Sequence, residues 1–393
     1  MTISKKIKAS ISQSSMIRKM FEEGIILKKK YGADKVYDFS LGNPNVEQPE
    51  EFKRELINLA AENIPMKHGY MPQAGYQETR QAIAQKINKK SGLKMDADHI
   101  IMSCGAGGAL NVILKALLDP GDEVIVLKPF FMEYTFYIEN FGGIVKYATT
   151  KKDFSLDIAA IAGAVSNKTK AIIINSPNNP TGKVYSEKEI AELSSMLLEK
   201  GRSLGKTIYL ISDEPYAEIV FDGVTVPSVL TAYFNSIIAY SYSKTLSLPG
   251  ERIGYIAVSP EIHEAGDLIS ALILCTRICG FVNAPALMQR IVARLQDVAV
   301  DVMVYQKKRD LLCAGLAKAG YKFEKPQGAF YLFVQSPLPD DVKFVEMLLK
   351  KNILVVPGSG FCAPGYFRIA YCVDDATITN SMEGFNEAIK ECK

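Results

Sequence analysis

Lys244 sits in the run Ser241-Tyr242-Ser243-Lys244-Thr245, and Pro249-Gly250-Glu251-Arg252-Ile253-Gly254-Tyr255 follows shortly after. A lysine amine condenses with an aldehyde once it has lost its proton, and burial beside other cations eases that loss. The residues before it, Ser236–Ser241, read as a buried strand, and α/β folds bind ligands at the carboxyl ends of strands. Ser241 and Ser243 bring hydroxyls, and Arg252 brings a planar guanidinium suited to phosphate. Taken alone, Ser-x-Ser-Lys is a common string that a surface lysine explains. The Pro-Gly-x-Arg-x-Gly-Tyr continuation makes that bland explanation a poor one.

Three more strings stand at strand ends. Asn175-Ser176-Pro177-Asn178-Asn179-Pro180-Thr181-Gly182 combines two prolines and three asparagines, which fix a rigid turn and leave a side-chain amide free to donate. Without its neighbours it is a strand-to-helix loop. Asp213-Glu214-Pro215-Tyr216 places a carboxylate where it can pair with a protonated ring nitrogen, with a phenol three residues on. Alone, Asp213 reads equally well as a helix cap. Cys104-Gly105-Ala106-Gly107-Gly108-Ala109-Leu110-Asn111 leads small residues into a helix, where backbone N–H groups and the helix dipole favour an anion. It lacks the Lys-Ser/Thr end of a P-loop and the full dinucleotide spacing, so by itself it is weak.

In this order and spacing, the four strings resemble the class I/II aminotransferases of the aspartate-aminotransferase superfamily, the fold type I pyridoxal-phosphate enzymes. The resemblance runs from Ser40-Leu41-Gly42-Asn43-Pro44 to Phe367-Arg368-Ile369. It implies pyridoxal 5′-phosphate as cofactor and transfer of an amino group between an α-amino acid and a 2-oxo acid. It also implies that Lys244 forms the Schiff base and shuttles the substrate proton. Asp213 would keep the pyridine nitrogen protonated, and Tyr216 and Asn179 would donate to the ring's phenolate oxygen. Ala106 and Gly107 backbone groups, with Ser241, Ser243 and Arg252, would hold the phosphate, and Phe131 would stack on the ring. Many relatives carry tryptophan at the Phe131 position, and this chain has no tryptophan. Arg368 would grip the substrate α-carboxylate as a bidentate fork, with Gly42 donating to it and Asn179 adjoining it. Tyr70 matches a tyrosine that reaches the phosphate in the partner subunit, which implies a homodimer with shared active sites; Asn283 is read as approaching from the same interface.

Two departures from the family pattern bear on specificity. Glu251 stands where many relatives have a large neutral or aromatic residue. No basic residue occupies Ala106 to Gly108, where some aspartate-specific bacterial members place a cation for the distal carboxylate. Phe131, Tyr134, Phe330, Tyr331 and Phe361 are expected to line the substrate side chain, a mostly aromatic wall that favours neutral donors. A pyridoxal-phosphate C–S β-lyase would use the same cofactor residues and is the alternative enzyme; thiol and pyruvate release from cystathionine would identify it. A pyridoxal-phosphate-binding regulator needs a further DNA-binding segment, for which the fold leaves little chain. A nicotinamide dehydrogenase lacks its fingerprint. Only His68, His99 and His263 are histidines and none adjoins a motif, which argues against histidine acid–base catalysis and against a metal site.

The elements that position these residues are legible in the pattern. Short apolar runs at Ile100–Ser103, Glu123–Leu127, Ile144–Ala148, Ala171–Asn175, Ile208–Ser212, Ser236–Ser241 and Ile253–Val258 alternate with amphipathic segments such as the one that Ser186 caps. This predicts an α/β fold around a large, doubly wound, mostly parallel sheet covered on both faces. After Pro285 the expectation is one long helical stretch over Ala286–Ala319, a strand at Gly328–Val334, a helix at Asp341–Lys351, a strand at Ile353–Val356 and a closing strand and helix. The domain expectation is a large cofactor-binding domain over 51–285 and a smaller α/β domain over 286–393, joined by residues 1–50 through a strand at Val36–Ser40. A net charge of +3 spread over 393 residues argues against nucleic acid as partner. Seven scattered cysteines, an N-terminus without an apolar signal core and the lack of a long apolar span make the cytoplasm, away from membranes, the expected location.

Overall fold

The computed structural model describes residues 3–12 and 16–392. Seven strands form the main sheet, in the order Ile100–Ser103, Gly254–Val258, Ser236–Ser241, Tyr209–Asp213, Thr169–Asn175, Glu123–Lys128 and Ile144–Thr149. Every neighbouring pair is parallel except those of Gly254–Val258, which runs antiparallel to both its neighbours. The apolar runs have the reason predicted for them. Ile172 and Ile174 enter one core, while Ala171 and Ile173 enter another on the opposite face. Ile238 and Tyr240 divide from Ile237 and Ala239 in the same way, so the sheet is buried on both sides.

A third core gathers around the antiparallel sheet of Val356–Pro357, Tyr366–Ala370 and Tyr331–Gln335. Next to it Tyr37–Asp38 pairs in parallel with Ile353–Leu354. The first of these strands is shorter than the run Val36–Ser40, and the apolar run Ile353–Val356 splits between two sheets. The strand expected from Gly328 starts only at Tyr331, because the Gly328 N–H donates instead to the Gly182 carbonyl at 3.0 Å.

One expectation fails. The stretch Ala286–Ala319 is two helices, Ala286–Arg294 and Val302–Ala319. Between them Leu295 and Val300 are buried, and the Val300 N–H donates to the Thr245 carbonyl at 2.8 Å. Asp301 then caps the second helix, accepting from the Met303 N–H at 2.9 Å. Apolar periodicity does not register such a break, because the connecting residues are themselves core residues.

The topology brings the chemistry to one edge. Asn175, Asp213 and Ser241 are each the last residue of a parallel strand, and Arg252 precedes the antiparallel strand that starts from the same edge.

Candidate active site

Lys244 lies on a single helical turn, Tyr242–Thr245, which Ser241 caps by accepting from the Ser243 N–H at 3.2 Å. The strand therefore ends by turning its next residues across the sheet edge. Lys244 borders a cavity of about 300 Å³ between the main sheet and the C-terminal sheet. Its Nζ donates to the Gly42 carbonyl at 2.9 Å. Burial is the largest influence on its ammonium, and Arg252 and Arg368 add repulsion, so its pKa falls to about 8.

Asp213 faces the same cavity and is 5% exposed. Tyr134 Oη donates to its Oδ2 at 2.5 Å, while its Oδ1 is buried without a partner. Burial raises this carboxyl to about 7 despite the tyrosine hydrogen bond. Tyr134 lines the cavity as expected, but its hydroxyl is committed to Asp213 and not to a substrate side chain. Tyr216 also lines the cavity and shares a 2.8 Å hydrogen bond with the Tyr331 hydroxyl. Burial drives the Tyr216 phenol well above its ordinary range and Tyr331 to about 12, so both stay protonated.

At one end of the cavity Ala106, Gly107, Ser241, Ser243 and Arg252 converge. The Ser241 and Ser243 hydroxyls are 2.8 Å apart. Arg252 donates to the carbonyls of Pro249 and Cys104 at 2.9 and 3.3 Å, which turns its guanidinium over the start of the helix Gly105–Leu117. A Cβ on Gly105 would lie 2.8 Å from Arg252 Nη2, so a glycine there permits the approach. Phe131 lines the wall between, edge-on to Tyr134 at 5.7 Å.

At the other end stands Arg368, 1% exposed. It donates to Asn179 Oδ1 at 3.0 Å and to the Ser40 carbonyl at 2.6 Å, and its Nε is buried without a partner. Its guanidinium lies 4.5 Å from the Tyr331 ring centroid and 4.9 Å from that of Phe361. Gly42 borders the cavity too, and a Cβ there would collide with the Tyr331 hydroxyl. The loop carrying Asn179 is set by Asn175, whose Nδ2 donates to the Asp213 carbonyl at 2.8 Å while its Oδ1 accepts from the Asn179 N–H at 2.7 Å. Asn175 lay inside the quoted string, but its positioning role was missed.

Twelve of the sequence-chosen residues thus share one cavity, and the thirteenth, Tyr70, does not: it is 91% exposed. Asn283 holds the loop that carries Tyr70, its Nδ2 donating to the Pro72 carbonyl at 3.2 Å. Phe330 and Phe361 were expected on the lining and are instead fully buried behind it, Phe330 edge-on to Tyr216 at 5.5 Å. Glu251 and His68 are exposed away from the cavity.

The residues fit pyridoxal 5′-phosphate. The free Asp213 Oδ1 suits a pyridinium N–H, the serine and Arg252 cluster suits a phosphate, and the free Arg368 Nε suits a carboxylate.

Comparison with known proteins agrees. Residues 34–385 match the family described as aminotransferase class I and II. The probable aspartate/prephenate aminotransferase of Thermus aquaticus is 32% identical over 368 residues, which cover 92% of this chain and 93% of that protein. The crystal structure of an aminotransferase from Eubacterium rectale superposes with a TM-score of 0.96 at 38% identity, covering 100% of this chain and 99% of its own. The aspartate aminotransferase from Thermus thermophilus, solved with maleate, superposes with a TM-score of 0.85 at 27% identity over 99% of this chain and 100% of its own. The cavity chemistry and these likenesses converge: the chain belongs to the class I and II aminotransferases, with the type I fold, and is a pyridoxal-phosphate-dependent enzyme that moves an amino group between an α-amino acid and a 2-oxo acid.

Proposed function

We propose that Lys244, Asp213 and Arg368 are the three working groups of this transfer, and that its amino donors carry neutral side chains. The observation that carries the assignment is the pair of buried, unpartnered atoms, Asp213 Oδ1 and Arg368 Nε, on the cavity that Lys244 borders. When bound, the cofactor supplies an aldehyde for exchange with the donor's amine and a ring that accepts the electron pair left at Cα. Asp213 keeps the ring nitrogen protonated through Oδ1, while Tyr134 holds Oδ2 in place. Lys244 Nζ takes the proton from Cα and returns it on the other side of the transfer; a pKa near 8 makes the amine both a competent base and a competent acid. Arg368 orients the α-carboxylate with Asn179 alongside, and Tyr216 and Asn179 donate to the ring oxygen. Ser241, Ser243, Arg252 and the backbone at Ala106 and Gly107 hold the phosphate, and Phe131 covers a ring face.

The preference for neutral donors rests on a count of cations. Lys244, Arg252 and Arg368 are the cations that border the cavity among the described residues, and each already has a task. A second substrate carboxylate would be desolvated without a partner, at a cost of several kcal/mol. The Thermus relatives are named for aspartate; this chain is read as favouring alanine, methionine or aromatic donors over it. Comparing kcat/KM for these donors with aspartate tests the reading. A preference for aspartate of about a hundredfold, near 2.7 kcal/mol, overturns it.

Tyr70 is read as reaching the cofactor phosphate of a second subunit in a homodimer, a reading supported by its exposure and that of nearby Met66. The joining of residues 1–50 to a smaller domain (286–393) beside the cofactor-binding domain (51–285) is supported by the pairing of Tyr37–Asp38 with Ile353–Leu354, while Met288, Ile291 and Val292 still pack in the core of the larger domain. All seven cysteines are free thiols, which supports a cytoplasmic location. Among the described residues no helix is long and apolar enough to cross a membrane.

A further inference from the structure

Glu133 opens the helix Glu133–Asn140, and its Oε2 is buried without a hydrogen-bond partner. It directly precedes Tyr134 and stands four residues before Tyr137, and both tyrosines border the cavity. Residues four apart share a helix face, so Glu133 lies on the helix face that carries Tyr137, just behind the residues that themselves border the cavity. The groups that feel its charge are on the opposite wall as well. After burial itself, Glu133 is the leading influence that raises the Tyr137 phenol, to about 12, and its charge also acts on Tyr331 and on the Arg368 guanidinium. Burial in turn raises the Glu133 carboxyl, with Arg368 opposing. An acidic residue in a first helical turn complements the helix dipole. That role leaves Oε2 unexplained, because a buried carboxylate oxygen without a donor is costly. The reaction assigned above makes no use of it.

We propose that Glu133 sets the side-chain specificity of the site: its carboxylate receives the hydrogen-bond-donating end of a neutral donor whose α-carboxylate Arg368 holds, and it repels donors and oxo acids carrying a second carboxylate. The proposal rests on the reading that Arg368 takes the α-carboxylate, and it gives the missing distal cation a counterpart of opposite sign. Amino acids ending in an amide, such as glutamine, are the matching substrate class. Acceptors follow the same rule, with pyruvate favoured over 2-oxoglutarate.

The test uses two analogues that lack the α-amino group, glutarate and its half-amide glutaramate, titrated calorimetrically into holoenzyme. Wild type binds glutaramate at least about tenfold tighter than glutarate, and Glu133→Gln brings the two to within about threefold, mainly by improving glutarate. Equal binding of both analogues by wild type overturns the proposal without recourse to any variant. So does an unchanged ratio in a folded Glu133→Gln protein. Arg368→Lys weakens both analogues alike; if it weakens neither, the Arg368 reading itself falls, and the two failures remain distinct. A purely helix-stabilising role for Glu133 would lower the melting temperature of Glu133→Gln and leave the binding ratio unchanged, which also overturns the proposal.

Discussion

Tyr134 Oη donates to Asp213 Oδ2 across 79 positions of sequence, and the two oxygens of Asp213 are thereby made unequal. One is fixed by the phenol, and the other is buried without a partner in a residue that borders the cavity at the end of its strand.

This inequality makes Asp213→Asn informative. An amide cannot hold a ring nitrogen protonated, so the variant binds cofactor but loses at least about a hundredfold in kcat. A near-wild-type kcat refutes the role. The same variant reports on stability in the cofactor-free protein. Burial raises the Asp213 carboxyl to about 7 in the folded chain, above its unfolded value, so the fold binds the extra proton. Its contribution is fully present below about pH 4 and is lost as pH rises through about 7. In urea unfolding the advantage of wild type over Asp213→Asn therefore shrinks by roughly 1.4 kcal/mol per pH unit between pH 5 and 7. A constant difference over that range contradicts the burial argument.

Lys244 is expected to carry the cofactor covalently. Borohydride reduction of the yellow holoenzyme fixes the label on one peptide, the one containing Lys244, and label on another lysine rejects the assignment. Lys244→Ala still binds the cofactor, through phosphate and ring contacts, and does not turn over. With a pKa near 8, about a quarter of the amine is neutral at pH 7.5, against roughly a thousandth for an ordinary lysine. The rate of cofactor uptake by apoprotein should therefore climb with pH and level off above about 8. A climb that continues towards pH 10 shows an unshifted lysine.

Mixing two inactive proteins tests Tyr70. A Lys244→Ala chain still supplies Tyr70, and a Tyr70→Ala chain still supplies Lys244. If each site takes the tyrosine from the other chain, the heterodimer contains one intact site and activity returns towards half of the wild-type value. Proven heterodimers without activity place Tyr70 in its own subunit's site.

The residues that sequence alone made legible are those that a strand end and a short string around it mark out, Lys244, Asp213, Asn179 and Arg252; Arg368, in the middle of its strand, was legible only through the family resemblance, and all five border the same cavity. The burial of the sheet on both faces was legible from its continuously apolar runs; which residue enters which core was not. What escaped depends on which side chains meet across the fold. Nothing near Tyr134 announces a partner at Asp213, and nothing near Phe330 or Phe361 says that they lie one layer behind Tyr216 and Arg368. Asn175 was visible as a turn residue, but its bridge between the Asp213 carbonyl and the Asn179 N–H exists only once two parallel strands are in register. The break before Asp301 was hidden because Leu295 and Val300 are as apolar as a continuing helix would require.

Arg368 and the carbonyl of Ser40 are 328 positions apart in sequence, and Lys244 meets the carbonyl of Gly42 across 202. The strand Tyr37–Asp38 finds its partner at Ile353–Leu354 only after every strand of the central sheet has been made. On the ribosome the long central sheet is thus complete while the opening segment still waits for its neighbours. Contacts of such span are slow to close, because the chain gives up loop entropy before they repay it. The candidate pocket is therefore completed only after the central sheet, and a stalled or truncated chain ending before Arg368 carries the lysine and the aspartate without the wall that would hold a substrate against them.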